Sequence, residues 1–167
     1  IFLNKTSYNA LYKVNSKGQF NTHYGRYKNP NIVDEQLIYA ISEYFNKNDI
    51  TIMNSDYRDA LKNLNKDSFV YFDPPYLPIS DSSSFTSYTQ NGFTLEQQIE
   101  INEQCDILHQ NGIKFLLSNS DHPFIRDLYK DYHIKTVHAK RAINSKANKR
   151  GEIKEVLVYN YEEPINE

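Results

Sequence analysis

The chain has 167 residues, a formal net charge of −2 at pH 7 and a sequence isoelectric point near 6.2. That length holds one domain with a substantial core, and the near-neutral balance leaves any nucleic-acid contact to a local patch. One cysteine, Cys105, excludes an internal disulfide framework and a thiolate metal cluster; with no membrane-length apolar run and no signal-like start, the sequence reads as soluble, cytoplasmic and metal-free.

Residues 1–33 carry five basic side chains (Lys5, Lys13, Lys17, Arg26, Lys28) and no acid, interleaved with Asn, Gly and Tyr. The pattern predicts loops and short strands, with turns at Ser16-Lys17-Gly18 and Tyr24-Gly25. A basic run is usually a solvated face, but basic groups alternating with aromatics and amides also suit a nucleic-acid surface. The 14 tyrosines point the same two ways, to base stacking or to ordinary strands and interfaces.

"NIVDEQLIYAISEYFNKND" predicts a helix with Ile38, Ile41, Tyr44 and Phe45 on one side, ended by Asp49. "ITIM" reads as a short strand, and "NSDYRDALKNL" as a helix using Ala60, Leu61 and Leu64. "SFVYF" is the next strand and runs into Asp73-Pro74-Pro75-Tyr76. A Ser/Thr loop follows, then a helix whose start carries the capping-box pair Thr94 and Gln97 and whose apolar positions are Leu95, Ile99, Ile101, Cys105 and Leu108. Gly112 stops it; "IKFLLS" is a buried strand, "DHPFIRDLYKDY" a short helix, and "HIKTVHA" and "KEVLVYNY" the last strands. Alternation of strand and helix predicts an α/β layer fold with a largely parallel sheet, while the last two strands, joined by a basic loop alone, should pair antiparallel.

Ligands of open α/β sheets sit beyond the carboxyl ends of the strands. Three polar groups fall at such ends: Asp73 with Tyr76, Asp56 with Tyr57, and Asn119 with Asp121. A lone Asp-Pro is most simply a turn cap. Asp-Pro-Pro-Tyr after a buried strand is different, because the prolines fix the backbone around an acid, a carbonyl and a ring. An exocyclic amine on a base is a poor nucleophile, its lone pair being delocalised. The Asp73 carboxylate and Pro74 carbonyl could accept both its N–H hydrogens and favour tetrahedral nitrogen, with Tyr76 stacked on the ring. Cys105 needs no part in this and reads as core.

The Asp-Pro-Pro-Tyr run resembles the signature of amino-methyltransferases that use S-adenosylmethionine. "SFVYFDPPYLPIS…SFTSYTQNGFTLEQQ", "KFLLSNSD" and "KRAINSKANKRGEIKEVLVYNY" look like successive blocks of the Dam-type (D12 class) adenine-specific DNA methyltransferases. "LNKTSYNALYKVNSKGQFNTHYGRYKNP" resembles that family's target-recognition segment. The resemblance implies a Rossmann-like methyltransferase sheet with an antiparallel final strand, divided into a target-recognition segment over residues 1–33 and the C-terminal part of a catalytic domain over 34–167. It implies methyl transfer from S-adenosylmethionine to N6 of an adenine flipped out of double-stranded DNA at a GATC-like site. A restriction endonuclease would be a functional partner.

By the same resemblance Asp73, Pro74, Pro75 and Tyr76 are the catalytic motif, with Asp73 also beside the cofactor and Asp56 and Tyr57 against its adenine. Ser83 to Tyr88, including Ser84, would lie near the extruded base. Lys13, Asn15, Arg26, Tyr27 and Lys28 would face DNA. So would a loop within Lys140 to Lys154, which holds six basic residues against one acid, among them Arg141, Lys146, Lys149 and Arg150. The family commonly has Arg at the place of Lys13 and Pro at that of His23. Its glycine-rich cofactor loop has no counterpart: the five glycines, at 18, 25, 92, 112 and 151, include no G-x-G. The sequence therefore reads as a fragment with an incomplete sheet and little turnover of its own. Two rival readings are a DNA-binding remnant without catalysis and an amino-methyltransferase acting on RNA or protein.

Overall fold

The computed structural model describes residues 1–79, 93–140 and 152–162. The chain falls into two compact units, Ile1–Asp56 and Tyr57–Glu167.

In the first unit, helix α1 (Phe2–Thr6) and a 3-10 turn (Tyr8–Ala10) precede two antiparallel bridges, Ser7 with Tyr24 and Val14 with Phe20. The Ser16-Lys17-Gly18 turn forms, closed by the Gly18 amide donating to the Asn15 carbonyl at 2.9 Å. Tyr24-Gly25 is not a turn: Tyr24 is extended in its bridge, and the Gly25 amide donates to the Thr6 carbonyl at 2.8 Å. Glycine is needed there for close approach, since a Cβ would lie 2.3 Å from the Tyr27 ring and 2.9 Å from the Ser7 carbonyl.

Helix α2 (Glu35–Lys47) begins where the Asp34 carboxylate accepts from the Leu37 amide at 3.1 Å, as an N-cap should. Its amphipathic pattern is as the sequence predicts, yet Ile38, Ile41, Tyr44 and Phe45 are all exposed. Ile50–Met53 forms no strand and Ile52 is 75% exposed; a strand exists only by pairing, and no described strand pairs with it.

The second unit opens with α3 (Tyr57–Ala60), shorter than predicted because Leu61–Asn63 turns away and Asn63 has a left-handed φ of 66°. Strands β1 (Phe69–Phe72), β2 (Lys114–Ser120), β3 (His133–Lys140) and β4 (Glu152–Tyr159) form one sheet in the order β1-β2-β4-β3. β1 and β2 run parallel, whereas β4 is antiparallel to both neighbours. The sheet is thus mixed rather than largely parallel, because β4 turns back from β3 and inserts beside β2. The expected antiparallel pairing of the last two strands is present.

Helix α4 (Leu95–Gln110) starts with the capping box, the Thr94 and Gln97 side chains each bonding the other's amide. It ends at Gly112, whose φ of 70° lets the Ile113 amide reach back to the Leu108 carbonyl at 2.9 Å. Its buried stripe is Gln98, Ile101, Cys105 and Leu108, while Leu95 and Ile99 lie outside it. With Ile125 of α5 (Pro123–Leu128) and Tyr129, this stripe packs on Phe115 and Leu117 of β2 and Val156 and Val158 of β4. Burying each large apolar side chain among them stabilises the fold by roughly 1.5–3 kcal/mol. Among the described residues no helix is long and apolar enough to cross a membrane, and no cluster of His, Cys, Asp or Glu could hold a metal ion.

Candidate active site

Asp73 follows the last residue of β1, and the parallel register Phe72–Leu117 brings it level with Ser118 of β2. Alternation along β2 sends Ser118 and Ser120 to one face and Asn119 to the other. The 73–77 segment is therefore gripped from both faces.

On the first face, the Ser118 hydroxyl donates to Asp73 Oδ1 at 2.9 Å and accepts from the Tyr71 hydroxyl at 3.1 Å. The Ser120 hydroxyl donates to the Leu77 carbonyl at 2.7 Å. On the second face, Asn119 Oδ1 accepts from the Leu77 amide at 3.1 Å, and its Nδ2 donates to Gln98 Oε1 at 3.0 Å. Gln98 Nε2 in turn donates to the Pro75 carbonyl at 3.0 Å. Gln98 and Asn119 are fully buried.

Two acceptors of the corner have capacity to spare. The Asp73 side chain belongs to an exposed residue held through one oxygen, and among the described residues none donates to the Pro74 carbonyl. Tyr76 is half-buried. Burial pushes its phenol above the ordinary value, a hydrogen bond with Ser118 acts the other way, and the negative charges of Glu155 and Asp73 add to the rise. Tyr57, at the start of α3, packs edge-on against Phe72 with ring centroids 6.3 Å apart, so one of the expected cofactor residues adjoins the strand that delivers Asp73. Asp56 belongs to the other unit.

Of the polar residues singled out at strand ends, Asp121 has a structural occupation: its carboxylate accepts from Arg126 Nε at 2.6 Å, and Arg126 also donates to Thr136 at 2.7 Å. Ser118 and Gln98 escape sequence reasoning. The available signal is a polar residue inside an apolar stripe: Gln98 shares the i, i+3, i+7 spacing of Ile101 and Cys105, and Ser118 follows Phe115 to Leu117.

In the first unit, Lys13, Arg26 and Lys28 are exposed. Asn15 organises its turn, Oδ1 accepting from the Lys17 and Gln19 amides at 2.9 and 3.0 Å. The Tyr27 hydroxyl accepts from the Asn9 amide at 3.1 Å, which ties the 26–28 segment to the 3-10 turn. Ser84, Tyr88, Arg141, Lys146, Lys149 and Arg150 lie outside the described residues.

The family model of the D12 class N6 adenine-specific DNA methyltransferases matches residues 1–143. The chain belongs to this family. Among relatives of this D12-class chain, the type II methyltransferase M1.LlaDCHI of Lactococcus lactis subsp. cremoris is 47% identical over 161 residues, 96% of this chain and 57% of that protein. The type II methyltransferase M.MjaIII of Methanocaldococcus jannaschii is 48% identical over 163 residues, covering 96% of this chain and 56% of its own length. The DNA adenine methylase of Escherichia coli strain K12 is 34% identical over 157 residues, 94% of this chain and 55% of the relative. The D12-class chain therefore spans a little over half the length of the curated relatives it matches.

Proposed function

We propose that this chain supplies the amine-binding corner and the DNA-contacting segment of an enzyme that methylates N6 of adenine in double-stranded DNA, with the base rotated out of the duplex. The observation that carries this reading is the corner itself: Ser118 anchors one oxygen of Asp73, while among the described residues none donates to the neighbouring Pro74 carbonyl. Two acceptors fixed before the substrate arrives take both hydrogens of the adenine amine. Asp73 then stabilises positive charge as it develops on N6, which is catalysis by orientation and electrostatics. The ring of Tyr76 packs on the base.

The cofactor of this reading is S-adenosylmethionine, which supplies an electrophilic methyl group on a sulfonium. The second unit's residues fit it in chemistry: the Asp73 carboxylate suits an amino group, and Tyr57 beside Phe72 offers a flat apolar wall; Asp56 is the acid that the family resemblance assigns to the cofactor's adenine. In this reading residues 1–33 are the target-recognition segment, residues 34–167 are the C-terminal part of a Rossmann-like catalytic domain, and the work is done in the cytoplasm. Lys13, Asn15, Arg26, Tyr27 and Lys28 meet phosphate or base, joined by Ser84, Tyr88, Arg141, Lys146, Lys149 and Arg150. The site is GATC-like, and a restriction endonuclease of the same specificity is the functional partner.

The test is transfer of labelled methyl from S-adenosylmethionine by the full-length enzyme to duplex DNA, RNA and protein acceptors, with Asp73→Ala in parallel. Label should appear at adenine N6 of duplex DNA, and Asp73→Ala should abolish it while DNA affinity stays nearly unchanged. Label in RNA or protein, turnover in Asp73→Ala, or no cofactor binding would each overturn the reading.

A further inference from the structure

We infer that Gln98 and Asn119 are positioning residues for the methyl transfer proposed above, acting as a one-way clamp on the backbone behind the Asp73–Pro74 corner; the inference rests on that functional reading. The clamp's polarity is forced by backbone chemistry. The amides of Leu77 and Ser120 can only donate, and both donate to Asn119 Oδ1, at 3.1 and 2.9 Å. The Asn119 amide is thereby fixed with Nδ2 toward Gln98, so Gln98 Oε1 must accept, at 3.0 Å. That leaves Gln98 Nε2 facing the Pro75 carbonyl, which accepts it at 3.0 Å. No member can flip without setting two acceptors or two donors against each other.

The effect on the corner is specific. Pro75 and Leu77 have their carbonyls drawn inward by Gln98 and Ser120, and the Leu77 amide is taken by Asn119. The clamp and Ser120 take the Pro75 and Leu77 carbonyls and leave that of Pro74, to which no described residue donates. Gln98 and Asn119 are fully buried and serve through the loop they hold, without touching substrate. A glutamine on the otherwise apolar stripe of α4 would cost stability if its amide were unsatisfied, and among the described residues it is satisfied by the loop and by Asn119.

The experiment is single-turnover methylation of an adenine-containing duplex by the full-length enzyme, comparing wild type with Gln98→Met, which keeps length and loses the donor. Rate constant and amplitude are read separately, together with DNA affinity. The rate constant should fall about 10- to 100-fold at full amplitude with unchanged affinity, the scale expected when a reacting group is misplaced by around 1 Å. A wild-type rate constant with reduced amplitude would mean that Gln98 serves folding alone and would overturn the inference. Should Gln98→Met not fold, hydrogen exchange of the Leu77 amide in the wild-type protein decides: strong protection supports the clamp, and exchange at the rate of an open loop refutes it. A wild-type enzyme that transfers no methyl group would instead remove the functional reading, and the inference with it.

Discussion

Substituting Ser118→Ala deletes a single oxygen, and its consequences can be worked from three distances. The hydroxyl gives its proton to Asp73 Oδ1 at 2.9 Å, stands 3.4 Å from the Phe72 carbonyl, and receives the Tyr71 hydroxyl at 3.1 Å. A hydrogen bond to a charged acceptor contributes about 1.5–3 kcal/mol when shielded from water. Asp73 is exposed, so water replaces much of the loss and about 1 kcal/mol remains. That corresponds to roughly fivefold in the rate constant if the orientation of Asp73 matters chiefly in the transition state. Tyr71 is 55% exposed and finds water, while Tyr76, which also bonds Ser118, is half-buried, so the thermal midpoint should fall only slightly. The assay is single-turnover methylation of duplex DNA by full-length Ser118→Ala, beside a melting curve. An unchanged rate would refute the idea that Ser118 orients Asp73. A loss beyond about 100-fold would refute it too, because such a loss belongs to a group acting directly at the reacting atoms.

Two further predictions concern groups away from the corner. The Arg126 hydrogen bond holds the Asp121 carboxyl below its ordinary value. A depressed carboxylate stabilises the fold above its unfolded pKa, near 3.9, and that stability is lost as pH falls through the lower folded value. The Arg126 side chain of this pair is 42% exposed and open to solvent screening, so the share of Asp121 is no more than about 0.5 kcal/mol. Acid unfolding followed by circular dichroism should therefore show wild type losing its small advantage over Asp121→Asn below pH of about 4; identical curves would contradict the assignment. Burial pushes the Cys105 thiol up, and the side chain is fully enclosed. A thiol reagent should label Cys105 only on unfolding, and rapid stoichiometric labelling of the native protein would contradict its place in the core.

Most of the second unit was legible in the sequence because its signals are local. The capping box at Thr94 and Gln97, the stop at Gly112 and the apolar runs of β1 and β2 each need only a few neighbouring residues to declare themselves. What failed depends on partners distant in sequence. The segment 50–53 has the composition of a strand but no ladder to join among the described residues, and the α2 stripe has the right period without being buried. The basic loop after β3 implied antiparallel pairing, yet nothing local says that β4 inserts between β2 and β3 rather than adding outside them. At the site, Asp73 announced itself through its prolines. The side chains that hold it did not, since a serine ending a strand and a glutamine in a helix are individually ordinary.

The central place of β4 sets a timetable for biosynthesis. Ser118 and Asn119 are held in register by Leu157 and Val156, residues that leave the ribosome some forty positions later. Until then β2 has an empty flank, β3 lacks its only neighbour among the described strands, and the serine and asparagine behind Asp73 sit on an unfinished scaffold. The sheet around Asp73 is accordingly incomplete in the nascent polypeptide until β4 slots home, and a premature stop before residue 152 would yield a chain carrying every letter of Asp-Pro-Pro-Tyr on a β2 that lacks its antiparallel neighbour.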